Sequence, residues 1–153
     1  MEITFAPRGI LQIDDARIVY RNFAGVGSKY NREGDRNFAI VIPDMETAEA
    51  LKAEGWNVKI KPLRDADDDP FITLPVKIKF NDRGPKAYLI SGENRVELDE
   101  ESISILDDID IRNVGLDIRP YDWEVNGKEG RTAYLQAIEV EQEIDRFSAR
   151  YQD

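Results

Sequence analysis

The sequence predicts a mainly-β domain, an OB-fold-like small β-barrel with elaborated loops and two short helices. Three observations point there: several short β-branched and aromatic runs with alternating polarity, glycine-rich turns between them, and one helical pattern set between strands. A β-sandwich of phage or viral structural type is the second architecture that fits. The 153 residues suit one domain with a core of its own. Neither an internal repeat nor a low-complexity linker marks a boundary, so the expectation is one domain over 1–145 and a short tail over 146–153.

Ala16 to Phe23 (ARIVYRNF) alternates as a strand does, and Ala24 to Asp35 (AGVGSKYNREGD) reads as a long mobile loop. Arg36 to Ile42 is the second strand. Asp44 then caps a helix, METAEALKAEG, with Gly55 in the C′ position and Met45, Ala48 and Leu51 on one face. Trp56 to Lys61 alternates strictly, Trp56, Val58 and Ile60 opposing Asn57, Lys59 and Lys61. After an acidic loop, Phe71 to Phe80 sets Val76, Ile78 and Phe80 against Lys77 and Lys79. Gly84-Pro85 turns the chain into a strand over Lys86 to Ser91. Asp99 to Leu106 reads as the second short helix, and Ile109 to Val125 as a long extended stretch. Asn126 to Gly130 is a hairpin turn and Thr132 to Val140 the last strand, seven in all.

Several function classes are excluded by composition. The chain has no Cys and no His. Disulfide frameworks, thiolate nucleophiles and thiolate zinc sites are therefore absent, as is the commonest general base. Asp65, Asp67, Asp68 and Asp69 resemble the start of a calcium loop, but the glycine and closing glutamate of an EF-hand are missing. Asp99, Glu100 and Glu101 complement a helix N-terminus rather than form a catalytic pair. No nucleophile is paired with a base, and no phosphate-binding glycine loop occurs. The expectation is a non-enzyme without metal or cofactor. No 18-residue apolar run and no export signal are visible, so no membrane role and a cytoplasmic location are expected.

The formal charge is −10, yet it is unevenly spread. Residues 1–88 hold 14 basic and 14 acidic side chains, and residues 89–153 hold 7 and 17. A basic surface beside an acidic flank is compatible with that split. Single-stranded nucleic acid needs cations for its phosphates and flat rings for its unpaired bases. Three constellations offer both. The first is Arg17, Arg21, Phe23, Lys29, Tyr30, Arg32 and Arg36, interleaved with Tyr20 and Phe38 around the glycine-rich loop; strict alternation places Arg17, Val19, Arg21 and Phe23 on one strand face. The second is Lys59 and Lys61 beside Lys77 and Lys79, four ammonium groups on one face if their strands are neighbours. Lysines protecting a sheet edge would look the same. The third is Arg119, Tyr121 and Trp123, alternating onto one face as a stacking platform or, equally, as the rim of a core.

The order of these segments resembles a known family. A basic-aromatic strand (VYRNF) is followed by RNFAIVI, a helix ending EGWNVK, a DDDP turn and the segment LDEESISILDDIDIRNVGLDIRPYDWEVNGKEGRTAYL. From about Ile18 to Ile144 it is similar to small phage and prophage single-stranded DNA-binding proteins of OB-fold type, most specifically over Arg119 to Leu135. The resemblance implies coating of single-stranded DNA during phage replication or recombination. RNA as well as DNA, phage replication or recombination proteins as partners, and a monomer or a homodimer are all compatible with the sequence, which does not choose among them. Such binders often end in an acidic tail that docks partners, whereas Arg146 to Asp153 (RFSARYQD) carries two arginines. The competing function is a protein-binding or assembly module of a phage, with no nucleic-acid role.

Overall fold

A computed structural model describes residues 1–62 and 69–144. Asp65, Asp67 and Asp68 of the acidic loop and the expected tail over 146–153 lie outside the described residues.

Among the described residues ten strands form one sheet: β1 (Glu2–Phe5), β2 (Leu11–Asp14), β3 (Ile18–Asn22), β4 (Arg36–Val41), β5 (Lys59–Lys61), β6 (Phe71–Ile78), β7 (Lys86–Ser91), β8 (Asn94–Leu98), β9 (Ile111–Val125) and β10 (Lys128–Gln142). Its main path runs β1-β2-β9-β10-β6-β4-β3, with β5 paired to β6 and the β7–β8 hairpin joined through β10. The path is open between β1 and β3. The mainly-β class expected from the sequence is the class observed.

Alternation explains why this sheet closes over one core. Leu11 and Ile13, Phe38 and Ile40, Ile72, Leu74 and Val76, Val114, Leu116 and Ile118, and Ala133 and Leu135 are all buried and belong to a single cluster. Each large aliphatic side chain contributes about 1.5–3 kcal/mol by leaving water. The residues between them face outward, and that outer face is where charge and aromatic rings collect.

The helix α1 (Met45–Ala53) is capped as expected: the Asp44 carboxylate accepts from Thr47 N–H at 2.7 Å, which holds its pKa below the ordinary carboxylate value. Gly55 follows it at φ +93°, and Ala48 and Leu51 enter the core. Trp56 and Val58 continue that core, but only Lys59–Lys61 of the expected 56–61 strand is paired to β6.

Four expectations change. The helix read over 99–106 is a 3-10 turn, Ile103–Asp107, because Ile103 and Leu106 alone are buried from it. The hairpin turn is two residues, not five: Asn126 and Gly127 both have positive φ, as a type I′ turn demands, so β10 already begins at Lys128. Strands β1 and β2 were not foreseen. Neither was β8, which turns back from β7 through Gly92 at φ +62°. The loop expected to be mobile, 24–35, is knitted internally. Asn31 donates to the carbonyls of Val26 and Asp35 at 2.9 and 3.0 Å, and its carbonyl accepts from Asn37 at 2.9 Å.

Candidate nucleic-acid interface

The site is built by register. Arg119 of β9 lies opposite Tyr134 of β10, Tyr134 beside Lys77 of β6, Lys77 opposite Asn37 of β4, and Asn37 opposite Asn22 of β3. Partnered residues share a face. The buried neighbours Ile118, Ala133, Leu135 and Val76 face the core, so this row faces outward across five strands. Two residues further along the hairpin, Tyr121 pairs with Thr132, and Trp123 with Gly130, on that same face.

Contacts among these side chains fix their geometry. The Arg119 guanidinium sits 4.8 Å over the Tyr134 ring, and the edge of Tyr121 meets Tyr134 at 5.9 Å and 76°. Tyr121 and Trp123 remain 54% and 39% exposed. A groove of about 620 Å³ runs beside the row, lined by Asn31, Asn37, Lys77, Lys79, Phe80 and Tyr134 among others, with Asp35 and Glu100 as its acids. A second hollow includes Lys79, Arg83, Lys86 and Arg119 and shares Lys79 with it. Lys77, Lys79 and Arg119 form no ion pair with any described acid.

The back of the hairpin carries different chemistry. Arg131 donates to both Asp122 oxygens, at 2.7 and 3.2 Å, and lies 5.3 Å from the Trp56 ring. The pair lowers the Asp122 pKa and raises that of Arg131, so both remain charged. Beyond the bulge at Leu135/Ala137, the outer face turns acidic. Asp117 has a raised pKa from partial burial and, second, from nearby Asp14.

The residues expected from sequence separate into four groups. Arg119, Tyr121, Trp123, Lys77 and Lys79 are brought together. Lys59 and Lys61 share the outer face, but they lie opposite Thr73 and Phe71, not opposite the other lysines. Lys59 is therefore about 13 Å along the strand from Lys77 at ~3.3 Å per residue, and the stack of four does not form. In the loop, Lys29 lies 5.7 Å over Tyr30, whose ring is 91% exposed, and Arg32 is exposed beside them.

The remaining four need correction. Phe23 is fully buried and stacked on Phe38 at 5.3 Å, so it has no face to offer a base. Arg21 donates to the Leu106 and Ile109 carbonyls at 2.7 and 2.8 Å, tying β3 to the 3-10 turn. Arg36 donates to the Phe23 carbonyl at 2.6 Å and lies over Phe80, a structural contact at the end of the groove. Arg17 is exposed but lines a separate cleft with Asp110 and Arg112. For Phe23 the cause is a bulge between Val19 and Asn22 that breaks strict alternation and turns its ring inward.

Two site residues escaped the sequence. Tyr134 and Asn37 carry no motif, and only register reveals them. Tyr20 is a fourth exposed ring of interest, 66% exposed and held at φ +55°, a backbone state that costs a non-glycine residue about 1–2 kcal/mol.

A family model described as "Putative phage ssDNA-binding domain" matches residues 3–153. Among solved structures, the chain is similar to the single-stranded DNA-binding protein of bacteriophage Enc34 in complex with ssDNA, at 15% identity and a TM-score of 0.58 over 95% of this chain and 93% of that one. A second structure of the bacteriophage Enc34 protein matches at 15% identity and a TM-score of 0.53, over 99% of this chain and 90% of that one. Its C-terminal truncation matches at 17% and 0.52, over 92% and 90%. At these identities the likeness concerns fold. No curated protein matches the sequence. Among the described residues, no helix is long and apolar enough to cross a membrane.

Proposed function

The chain belongs to the phage ssDNA-binding domain family, and on that premise we propose that its outer sheet face holds single-stranded DNA without reading its sequence. The observation that carries this reading is the row Arg119–Tyr134–Lys77–Asn37, with Tyr121 and Trp123 beside it on the hairpin. Lys77 and Lys79 meet phosphates as mobile point charges, and the Arg119 guanidinium is held ready by the Tyr134 ring. Tyr121 and Trp123 offer exposed ring faces to bases, and every base has a face to stack, which makes the binding tolerant of sequence. The loop that presents Lys29, Tyr30 and Arg32 joins the row through the Asn31–Asn37 hydrogen bond and borders the groove from the side.

Duplex DNA hides its bases from such rings, so the face favours single strands. The acidic patch around Asp14 and Asp117 bounds the strand's path along β9 and β10. The role is binding without turnover: coating of single strands during phage DNA replication or recombination, in the host cytoplasm.

Fluorescence anisotropy of a labelled oligo-dT, with duplex as control, tests the reading at two salt concentrations. Micromolar or tighter binding that prefers the single strand and weakens with salt is expected. Absence of binding at low salt would overturn it and leave the assembly-module alternative.

A further inference from the structure

Strand β3 contains an arrangement that the groove does not use. Tyr20 sits in the bulge between Val19 and Asn22 with φ +55°, a left-handed backbone that an aromatic residue rarely adopts. The core gains nothing from it, since the ring is 66% exposed. Among the described residues its one aromatic neighbour is Phe71, met edge-on at 6.3 Å and 83°. Phe71 alternates with fully buried Ile72, so it belongs to the outer face, where its cross-strand partner is Lys61 and the next outward pair is Thr73 with Lys59. An exposed ring on a strained backbone, braced by a second ring that has Lys61 as its cross-strand partner, repeats the chemistry of the hairpin at the far side of the same face. Strain of this kind persists where the surroundings hold it, and such positions concentrate at ligand sites.

We infer that Tyr20, braced by Phe71 and with Lys61 and Lys59 on the strand next to Phe71, is a second base-stacking subsite, so that one bound strand crosses the sheet from the Trp123 hairpin to β3. The inference rests on the proposed single-strand binding by this face. It adds that the footprint extends past the groove and that short oligonucleotides reach only one of the two subsites.

Backbone strain separates this role from a structural one. Asn tolerates left-handed backbone better than Tyr, so Tyr20→Asn keeps or raises the melting temperature while removing the ring. Binding of oligo-dT long enough to span the face is expected to weaken at least about fivefold, within the range of one lost base stack. A short oligo-dT confined to the hairpin subsite is expected to lose less than twofold. Trp123→Ala serves as the control and weakens both. Unchanged affinity of Tyr20→Asn for the long oligonucleotide, with Trp123→Ala weakened, would overturn the second subsite and leave the proposed function standing. If the parent protein bound no single strand at all, the proposed function itself would fail.

Discussion

The Trp123 indole packs against Gly130, so close that a Cβ at residue 130 would fall 2.7 Å from Cε2 of the indole. Glycine is needed there for space, since its φ lies outside the left-handed range that favours glycine. The indole is thus seated on the hairpin and still 39% exposed to solvent. Gly130→Ala pushes the ring off its seat, while the substitution sits at an exposed hairpin and spares the core. Affinity for oligo-dT is expected to fall about threefold to tenfold, a loss at the low end of one base stack. The melting temperature should stay within a few degrees, as read by circular dichroism.

Phosphate contacts are counted by salt. Each cation that meets a single-strand phosphate contributes about 0.7 to the slope of log K against log salt. Lys77→Gln and Lys79→Gln should each flatten the slope by about that amount, and Arg17→Gln, in its separate cleft, should leave it unchanged. Anisotropy titrations at four or five salt concentrations measure this.

Phe23 and Tyr30 began as equivalent candidates and should now behave in opposite ways. Phe23→Ala removes a fully buried ring stacked on Phe38 and should cost about 3–5 kcal/mol in urea denaturation. Tyr30→Ala removes a ring that is almost wholly exposed. It should leave denaturation unchanged and weaken single-strand binding severalfold.

The base of the basic loop hangs on one carboxylate. Asp107 accepts from the backbone N–H groups of Phe23 and Ala24 at 2.8 and 2.9 Å. Asp107→Ala leaves both donors without that partner and should cost about 1–3 kcal/mol. Affinity should fall as well, because the loop presenting Tyr30 loses its anchor, and both effects are read from one variant by denaturation and titration.

Asp117 carries a pH signature. Partial burial, and secondly Asp14, raise its carboxyl pKa in the folded state. An acid whose folded pKa is raised binds its proton more tightly when folded, so stability falls as pH rises from the unfolded value through the folded one. Asp117→Asn should therefore be more stable than the parent at neutral pH. The advantage should shrink as the pH drops below the ordinary carboxylate range, which thermal melts across pH 3–8 would follow.

The sequence made the class of fold and much of the site legible through alternation. Val76 and Ile78 against Lys77 and Lys79, and Arg119, Tyr121 and Trp123 on one face, are all found as written. Asn126-Gly127 announced the hairpin, and Asp44 the helix cap. What alternation cannot supply is the identity of the neighbouring strand. Tyr134 and Asn37 enter the site only through pairings with Lys77, and Lys59 leaves the expected stack because it meets Thr73. A single extra residue near Tyr20 reverses every assignment after it, which is why Phe23 was read on the wrong face. Strands β1 and β2 were hidden because each is four residues long and a left-handed Arg8-Gly9 turn interrupts them.

The central claim is that one face of one sheet holds the strand, and amide chemical-shift mapping of the isotope-labelled protein during titration with oligo-dT tests it most directly. Shifts concentrated at Lys77, Arg119, Tyr121, Trp123, Tyr134 and the 29–32 loop, with α1 and β1 silent, are the predicted result. Shifts confined to β1, α1 or the cleft around Arg17 and Arg112, with the outer face silent, would contradict it.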